Sequence, residues 1–258
     1  MHSRERLLRT LRRQPVDRVP ISTYELVGYN PDSFENQQPT YRKLMDRIRE
    51  DTDCIYMWSW EPFVDSGLWD TRTETAPDGA KTTYWRLRTP KGDLTKTTRE
   101  LPGIHTVWTT EHLLKSVEDI DAYLTVLHQL HSIGDANLRD AARTYALATE
   151  RVGDNGIVMS SGGDPSYPVA ELFEFGLFTT LCFQYKEKLL ELVDAFTKPI
   201  LDVYRAEAQH HWGDLHRLCG PEYYTPPYLP PAYFHDFVVP GARRAAEWLL
   251  QGKAFTAQ

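Results

Sequence analysis

The sequence has few cysteines, no long apolar run and no excess of positive charge. Its three cysteines, Cys54, Cys182 and Cys219, have no CxxC spacing. Such a sparse, odd set is typical of reduced thiols in a cytoplasm-like compartment. No stretch approaches the roughly 20 apolar residues that cross a bilayer. The net charge of -7 argues against broad contact with a nucleic-acid backbone. We therefore expect a cytoplasmic protein with neither a membrane nor a nucleic-acid partner.

Several catalytic and targeting signatures are also missing. The sequence contains no HExxH, GxSxG, GxGxxG or P-loop pattern, so four common enzyme classes have no direct support. The basic N-terminus lacks the 7–15 consecutive apolar residues of a signal peptide. Its leucines, Leu7, Leu8 and Leu11, fall on one helical face, which predicts a short surface helix ended by Pro15.

What the sequence does have is an ordinary globular composition, with 41% hydrophobic and 25% charged residues. Short apolar runs of strand length alternate with segments of helical periodicity, which predicts an α/β protein with a mostly parallel sheet. The predicted parallel strands are 18–24, 54–58, 156–161, 215–219 and 253–257, and the predicted helices are about 39–50, 116–124, 136–150, 184–212 and 230–252. A closed eight-stranded barrel would need three more strands.

Residues 68–109 follow a different pattern. Polar residues alternate there with apolar or β-branched ones around two turn signals, Pro77-Asp78-Gly79 and Pro90-Lys91-Gly92. This alternation predicts an antiparallel β-meander of three or four strands, inserted into one domain that spans residues 1–258.

Four segments resemble a known family when they are taken in order. They are RERLLRTLRRQPVDRVPI, TPKGDL, TTEHLLKSVEDIDAYL and GPEYYTPPYLPPAYFHDFVVP, spread from about residue 4 to residue 240. They resemble segments of the uroporphyrinogen decarboxylase and corrinoid methyltransferase superfamily. The resemblance implies a (β/α)8 TIM-type barrel, incomplete in this chain, with its site at the carboxyl ends of the strands. It also implies decarboxylation or zinc-dependent methyl transfer on a small or tetrapyrrole-like ligand.

The sequence departs from the patterns of both branches. The decarboxylase has arginines after its first strand and an Asp after its second, but residues 22–29 contain no Arg and residues 57–61 no Asp. A polycarboxylate substrate needs cationic partners, so uroporphyrinogen decarboxylation is disfavoured. The methyltransferase branch has a His-x-Cys zinc pair on a strand expected near Gln258. The resemblance therefore implies zinc only in a longer protein, and no metal ligand is predicted within this sequence. It also implies a corrinoid protein as a methyl donor.

The candidate catalytic residues, Glu222 and Asp164, follow the third and fourth apolar runs, together with three candidate substrate-binding residues, Tyr167, Glu171 and Tyr223. Glu222, in Gly-Pro-Glu-Tyr-Tyr, would act as a general base or a metal ligand beside Tyr223, or else cap the following segment. Asp164 and Tyr167 lie in a loop whose glycines allow close approach to a ligand, although Asp-Pro is also a common turn element. The resemblance places Glu171 roughly where the decarboxylase has its catalytic tyrosine.

Candidate substrate-binding residues follow the first two runs. Tyr24 and Glu25 end the first run, where Glu25 would bind substrate or remain a solvated loop acid. Trp58, Trp60 and Glu61 end the second run, where two indoles and a carboxylate would form a flat wall for a conjugated or methylated ligand, or pack in the core.

Three functional hypotheses follow. The first is an enzyme for methyl transfer or decarboxylation, acting on a small molecule, as a homo-oligomer or with a corrinoid protein. The second is a non-catalytic fragment or interaction module, because five barrel strands leave two open sheet edges. The third is a true uroporphyrinogen decarboxylase of porphyrin metabolism with a rearranged site.

Overall fold

The computed structural model describes residues 1–23, 25–104 and 106–252. Its strands are β1 (Cys54–Trp58), β2 (Trp69–Thr75), β3 (Lys81–Leu87), β4 (Leu94–Glu100), β5 (Val107–Glu111), β6 (Gly156–Gly163) and β7 (Leu215–Cys219). They form a three-stranded parallel sheet in the order β1-β6-β7 and a four-stranded antiparallel sheet in the order β2-β3-β4-β5. The chain is therefore an α/β protein.

The helices connect the parallel strands and cover them. They are α1 (Ser3–Leu11), α2 (Phe34–Gln37), α3 (Arg42–Asp51), α4 (Glu118–Leu124), α5 (Leu127–Leu130), α6 (Asp135–Val152), α7 (Tyr167–Glu171), α8 (Phe175–Gln184), α9 (Lys186–Gln209), α10 (Pro231–Phe237) and α11 (Val239–Gly252). Helix α9 contains Pro199 and continues through it without a break. Short 3-10 turns occupy Pro39–Tyr41, Gly153–Asn155 and Pro221–Tyr224. No described helix is long and apolar enough to cross a membrane.

The central strand, β6, aligns the ends of its two neighbours. Trp58 at the end of β1 lies opposite Ser160, and Cys219 at the end of β7 lies opposite Gly163. Ile157 and Val158 in β6 are fully buried, as expected for a strand with both faces covered. Because parallel strands all point the same way, their carboxyl ends lie along one edge, where β6 extends beyond β1.

The antiparallel sheet confirms the predicted meander. Its four strands pair as successive neighbours, and β4 has a bulge between Thr97 and Thr98 where it pairs with β5. Leu87 and Leu94 anchor this sheet in a hydrophobic core that also contains residues of α4, α8 and α9. Most of β2 is exposed, so the sheet presents an open outer edge.

The prediction of five parallel strands is wrong for the first of them. Residues 18–23 form no strand; Val19 and Ile21 are exposed, and Pro20 has no N–H to donate to a ladder. The buried carboxylate of Asp53 instead accepts a hydrogen bond from the Ile21 amide at 3.0 Å. The strand predicted at 253–257 lies outside the described residues, which leaves three of the predicted parallel strands in the structure.

A buried ion-pair network holds the N-terminal segment against the start of β1. Asp53 is fully buried, and its carboxylate lies 2.5 Å from the Arg6 guanidinium and 2.9 Å from that of Arg18. Arg6 is itself buried and also pairs with Asp17. Two guanidinium groups therefore compensate a single buried carboxylate.

Candidate active site

A cavity of about 540 Å³ opens beyond the carboxyl ends of β6 and β7. The loop after β1 and the last turns of α9 form its other walls. Its lining residues are Trp60, Pro62, Phe63, Gly162, Gly163, Tyr167, Pro168, Ile200, Val203, Tyr204, Glu207, Arg217, Cys219, Gly220 and Glu222. This is the edge at which parallel α/β sheets bind their ligands, and the volume is that of a small-molecule site.

Strand β7 contributes a guanidinium and a thiol to this cavity. Arg217 and Cys219 are two residues apart, so their side chains leave the same face of the strand. An N–H of Arg217 donates to the Cys219 sulfur over 3.0 Å, and that sulfur lies 3.4 Å from the Gly162 carbonyl oxygen. The half-buried thiol therefore faces the cavity beside a fixed positive charge.

The carboxylate of Glu207, on α9, is held by three donors. It is 2% exposed. Its Oε1 accepts from the Trp60 indole N–H at 3.0 Å, and its Oε2 accepts from the Ser160 hydroxyl at 2.9 Å. The Nδ1 of His216 lies 3.2 Å from the same Oε2 and 2.7 Å from the Ser160 oxygen. These bonds fix Trp60 at the cavity wall, because its polar atom is tied to a buried anion.

Two glycines make room for the tyrosines of the site. Gly220 has a φ of +106°, in the left-handed region, and a Cβ at this position would overlap the Tyr167 ring. A Cβ at Gly162 would overlap Tyr204, whose hydroxyl donates to the Gly163 carbonyl at 2.8 Å. The close contacts between these rings and the strand ends therefore depend on residues without a side chain.

The residues that follow β7 and β6 bring together most of the predicted acids and tyrosines. Glu222 lines the cavity with Tyr167, and burial, followed by the nearby charge of Glu171, raises the pKa of Tyr223. Burial raises the pKa of Tyr167, and the neighbouring charges of Glu171, Cys219 and Glu222 raise it further. Both tyrosines therefore keep their protons and serve as hydrogen-bond donors near neutral pH.

Asp164 is buried beside this group and does not line the cavity. Its Oδ1 accepts from the amide of Ser166 at 2.6 Å and from the Ser166 hydroxyl, and its own amide donates to the Cys219 carbonyl. Its Oδ2 is buried without a hydrogen-bond partner among the described residues. Burial raises the pKa of Asp164, although the bonds from Ser166 oppose the shift. The geometry assigns this carboxyl to the loop that precedes α7.

The remaining sequence candidates lie elsewhere. Trp58 is buried among Tyr145 and Trp212 on the face covered by α6, where its indole N–H donates to the Thr144 hydroxyl. The side chains of Glu25 and Glu61 are exposed, and neither lines the cavity. Tyr24 lies outside the described residues.

Two charged residues and a thiol that line the cavity, Glu207, Arg217 and Cys219, were not among the site residues predicted from the sequence. The first three predicted strand ends offer no cation, but β7 supplies Arg217. Its position in the run Leu215–Cys219, two residues before the end of a predicted strand, was a usable signal. Glu207 lies three residues after Tyr204 on the buried face of α9. Acids are rarely buried unless they are paired, so an acid on the apolar face of a predicted helix also indicates a site residue.

A zinc site does not fit the residues that the structure describes. Across residues 1–23, 25–104 and 106–252, no group of three or more His, Cys, Asp or Glu side chains is arranged to hold a metal ion. Cys219 is paired with a guanidinium, which is no zinc ligand. No step is therefore assigned to a metal in this part of the chain.

Comparison with known proteins finds similarity at the level of the fold. No family model matches the sequence, and no curated protein matches it either. Among solved structures, the chain is similar to a methyltransferase from Methanosarcina mazei with a TM-score of 0.55 and 14% sequence identity. The match covers 96% of this chain and 67% of the methyltransferase chain. At this identity, the similarity shows a shared fold.

Proposed function

We propose that the chain is a methyl-transfer enzyme, or the greater part of one, and that the cavity beyond β6 and β7 is its substrate site. The observation that carries the proposal is the convergence of Cys219, Arg217 and Glu222 in one cavity at the carboxyl ends of parallel strands. The fold shared with a methyltransferase supports the kind of reaction. We also propose that the parallel sheet belongs to a (β/α)8-type barrel of the superfamily that the sequence resembles.

The residues of the cavity suit the requirements of methyl transfer. The reaction needs a methyl group aligned with its acceptor, in a site where water does not compete. Trp60 and Phe63 provide an apolar wall, and Trp60 is held in place by Glu207. Glu222, at the mouth of the cavity, would take a proton from the acceptor as a general base. A corrinoid protein as the methyl donor stays a prediction.

Methyl transfer is favoured over decarboxylation of a polycarboxylate. A ligand with several carboxylates needs several cationic partners, whereas the cavity is lined by one guanidinium and two carboxylates, Arg217 against Glu207 and Glu222. A tetrapyrrole with acidic side chains would face repulsion from both acids. The charge of the lining therefore supports a small methyl donor over uroporphyrinogen.

The proposal can be tested on the purified 258-residue chain. The methyl acceptor would be 2-mercaptoethanol. Four ¹³C-methylated donors, an amine, an ether, a thioether and methylcobalamin, would be tried in turn, and formation of the methylated thiol would be followed by NMR. We expect turnover with at least one donor. Glu222→Gln should lower that turnover by about 10²-fold or more, the usual contribution of a general base.

Glu150→Gln is the matched control, because Glu150 is exposed on α6 and lies outside the cavity. Its turnover should equal that of the unaltered chain. Absence of transfer from all four donors would overturn the proposal, and full activity in Glu222→Gln would remove that residue's role.

A further inference from the structure

The aromatic and charged groups of the cavity together specify a class of ligand. Resting on the proposed function, we infer that the cavity binds a small zwitterion, a methylated ammonium group that carries a carboxylate. The rings of Trp60, Phe63 and Tyr167 would hold the ammonium group, and the guanidinium of Arg217 would hold the carboxylate. The three rings and the guanidinium line one cavity of about 540 Å³, a volume suited to a small molecule.

The aromatic wall is rigid on the side formed by the loop after β1. The Trp60 indole is held by its hydrogen bond to Glu207 and by an edge contact with Trp212, whose ring centre lies 5.6 Å away. Phe63 packs edge-on against His131 with 4.8 Å between ring centres. Fixed rings hold a cation at a smaller entropic cost than mobile ones, and the ring face attracts positive charge.

The acids of the lining favour a cation that has no N–H to satisfy. Both oxygens of Glu207 already accept hydrogen bonds from protein donors, and this carboxylate is buried, so it contributes mainly negative charge to the cavity. Glu222 is exposed at the mouth and adds a second negative charge. A methylated ammonium needs such a field and an apolar surface, whereas a primary ammonium would need acceptors for three N–H groups.

Arg217 selects the other half of the ligand. A guanidinium has five N–H groups in a planar fork that matches a carboxylate. One of its nitrogens donates to the Cys219 sulfur at 3.0 Å, which fixes the direction of the group on β7. The cavity therefore has a guanidinium on β7, whereas the rings of Trp60 and Phe63 lie on the loop after β1 and the Glu207 carboxylate lies on α9. A ligand with both charges matches this polarity better than a plain cation.

Calorimetry on the full chain, with no methyl acceptor present, tests the inference through three probes. Trimethylammonioacetate has both charges, 3,3-dimethylbutanoate has the same shape with carbon in place of the charged nitrogen, and choline has the cation without the carboxylate. We expect the first probe to bind at least about tenfold more tightly than either of the others. The inference would be overturned if 3,3-dimethylbutanoate bound within threefold of trimethylammonioacetate, or if trimethylammonioacetate did not bind at millimolar concentration. Equal binding of choline and trimethylammonioacetate would overturn the role of Arg217.

Variants assign the two halves of the ligand to their residues. Trp60→Leu should weaken trimethylammonioacetate at least about tenfold, and Trp108→Leu, in the exposed strand β5, should leave it unchanged. Arg217→Gln should abolish the preference for trimethylammonioacetate over choline. If circular dichroism shows that Trp60→Leu does not fold, Phe63→Leu replaces it. The comparison of the three probes on the unaltered chain tests the ligand class without any variant.

The outcome separates this inference from the proposed function. Binding of trimethylammonioacetate without any methyl transfer would contradict the proposed function and leave the ligand class standing. Methyl transfer from another donor, together with no binding of the zwitterion, would contradict the ligand class alone.

Discussion

At the scale of single residues, the three thiols differ in environment. Cys54 and Cys182 are buried, and burial raises the pKa of each to about 12. Cys219 is half-buried, lines the cavity and receives a hydrogen bond from Arg217. The two buried thiols are therefore protonated and inaccessible at neutral pH. Since the thiolate is the reactive form, they should react slowly.

We therefore predict that iodoacetamide alkylates Cys219 at least about tenfold faster than Cys54 or Cys182 in the folded protein. Mass spectrometry of proteolytic peptides after a timed reaction at pH 7.5 would measure the three rates. Unfolding in guanidinium should make the rates similar, since burial is then lost. Labelling of Cys54 or Cys182 as fast as Cys219 under native conditions would contradict the assignment.

Glu207 should matter for stability as well as for the site. Glu207→Ala leaves the Trp60 indole, the Ser160 hydroxyl and the His216 imidazole without their buried acceptor. Loss of a buried charged acceptor with several donors costs about 2–4 kcal/mol of unfolding free energy. Urea denaturation would measure the change, and Glu222→Ala, at an exposed position, should stay within about 0.5 kcal/mol. A loss below 1 kcal/mol at Glu207 would show that this network is not needed for folding.

The sequence indicated part of the site because strand ends can be read locally. Trp60, Tyr167 and Glu222 all follow predicted strands, and the structure places all three at the cavity. Trp58 is still inside β1, and the alternation of the strand turns its ring toward α6. Glu207 could not be assigned, because its place depends on how α9 packs against the sheet, and that packing is a tertiary contact.

At the scale of elements, the segment before β1 depends on a single buried carboxylate. Asp53→Ala would remove the buried carboxylate that pairs with Arg6, which would keep its half-exposed partner Asp17, and would leave the Ile21 amide without its side-chain acceptor. Removing one partner of a buried ion pair costs about 3–5 kcal/mol. Thermal or urea unfolding would measure this loss. Asp51→Ala, two residues earlier on the exposed side of α3, should change the free energy of unfolding by less than about 0.5 kcal/mol.

The same network predicts an acid dependence of stability. Burial alone would raise the pKa of Asp53, but hydrogen bonds from Ser3, the Ile21 amide and Arg6 outweigh it and hold that pKa below its ordinary value. A carboxyl with a lowered folded pKa stabilises the fold above its unfolded pKa, about 3.9, and loses that contribution as the pH falls. The unfolding free energy should therefore fall below about pH 4, and Asp53→Asn should show a smaller fall. An identical acid dependence in the two proteins would contradict this role for Asp53.

Two short strands of the parallel sheet could be predicted from the sequence, and the exposed segment before them could not. The predicted strands at 54–58 and 215–219 have the bounds of β1 and β7, because both runs are short and end at polar or glycine residues. Residues 18–23 have an alternating sequence that is typical of a strand, but they form no strand. There the Asp53 side chain takes the amide that a strand would use, and such competition from a side chain cannot be read from periodicity.

At the scale of the whole molecule, the two sheets differ in how their edges are protected. In the parallel sheet, β6 is hydrogen-bonded on both sides, and its residues Ile157 and Val158 are fully buried. In the antiparallel sheet, β2 pairs on one side only within the part of the chain that the structure describes, and its residues after Trp69 are exposed. An amide exchanges when its hydrogen bond opens, and a central buried strand opens only with a large part of the fold.

Hydrogen exchange should therefore rank the two sheets. We predict that the amides of β6 exchange at least about 10²-fold more slowly than those of β2, because opening β6 disrupts both neighbours and the covering helices. Exchange followed by mass spectrometry on peptides that span 156–163 and 69–75 would give the ratio. β3, which is central in the antiparallel sheet, is the internal control and should exchange more slowly than β2. Equal protection of β6 and β2 would mean that the two sheets open as one unit. The parallel strands that support the cavity would then be no more rigid than the antiparallel meander.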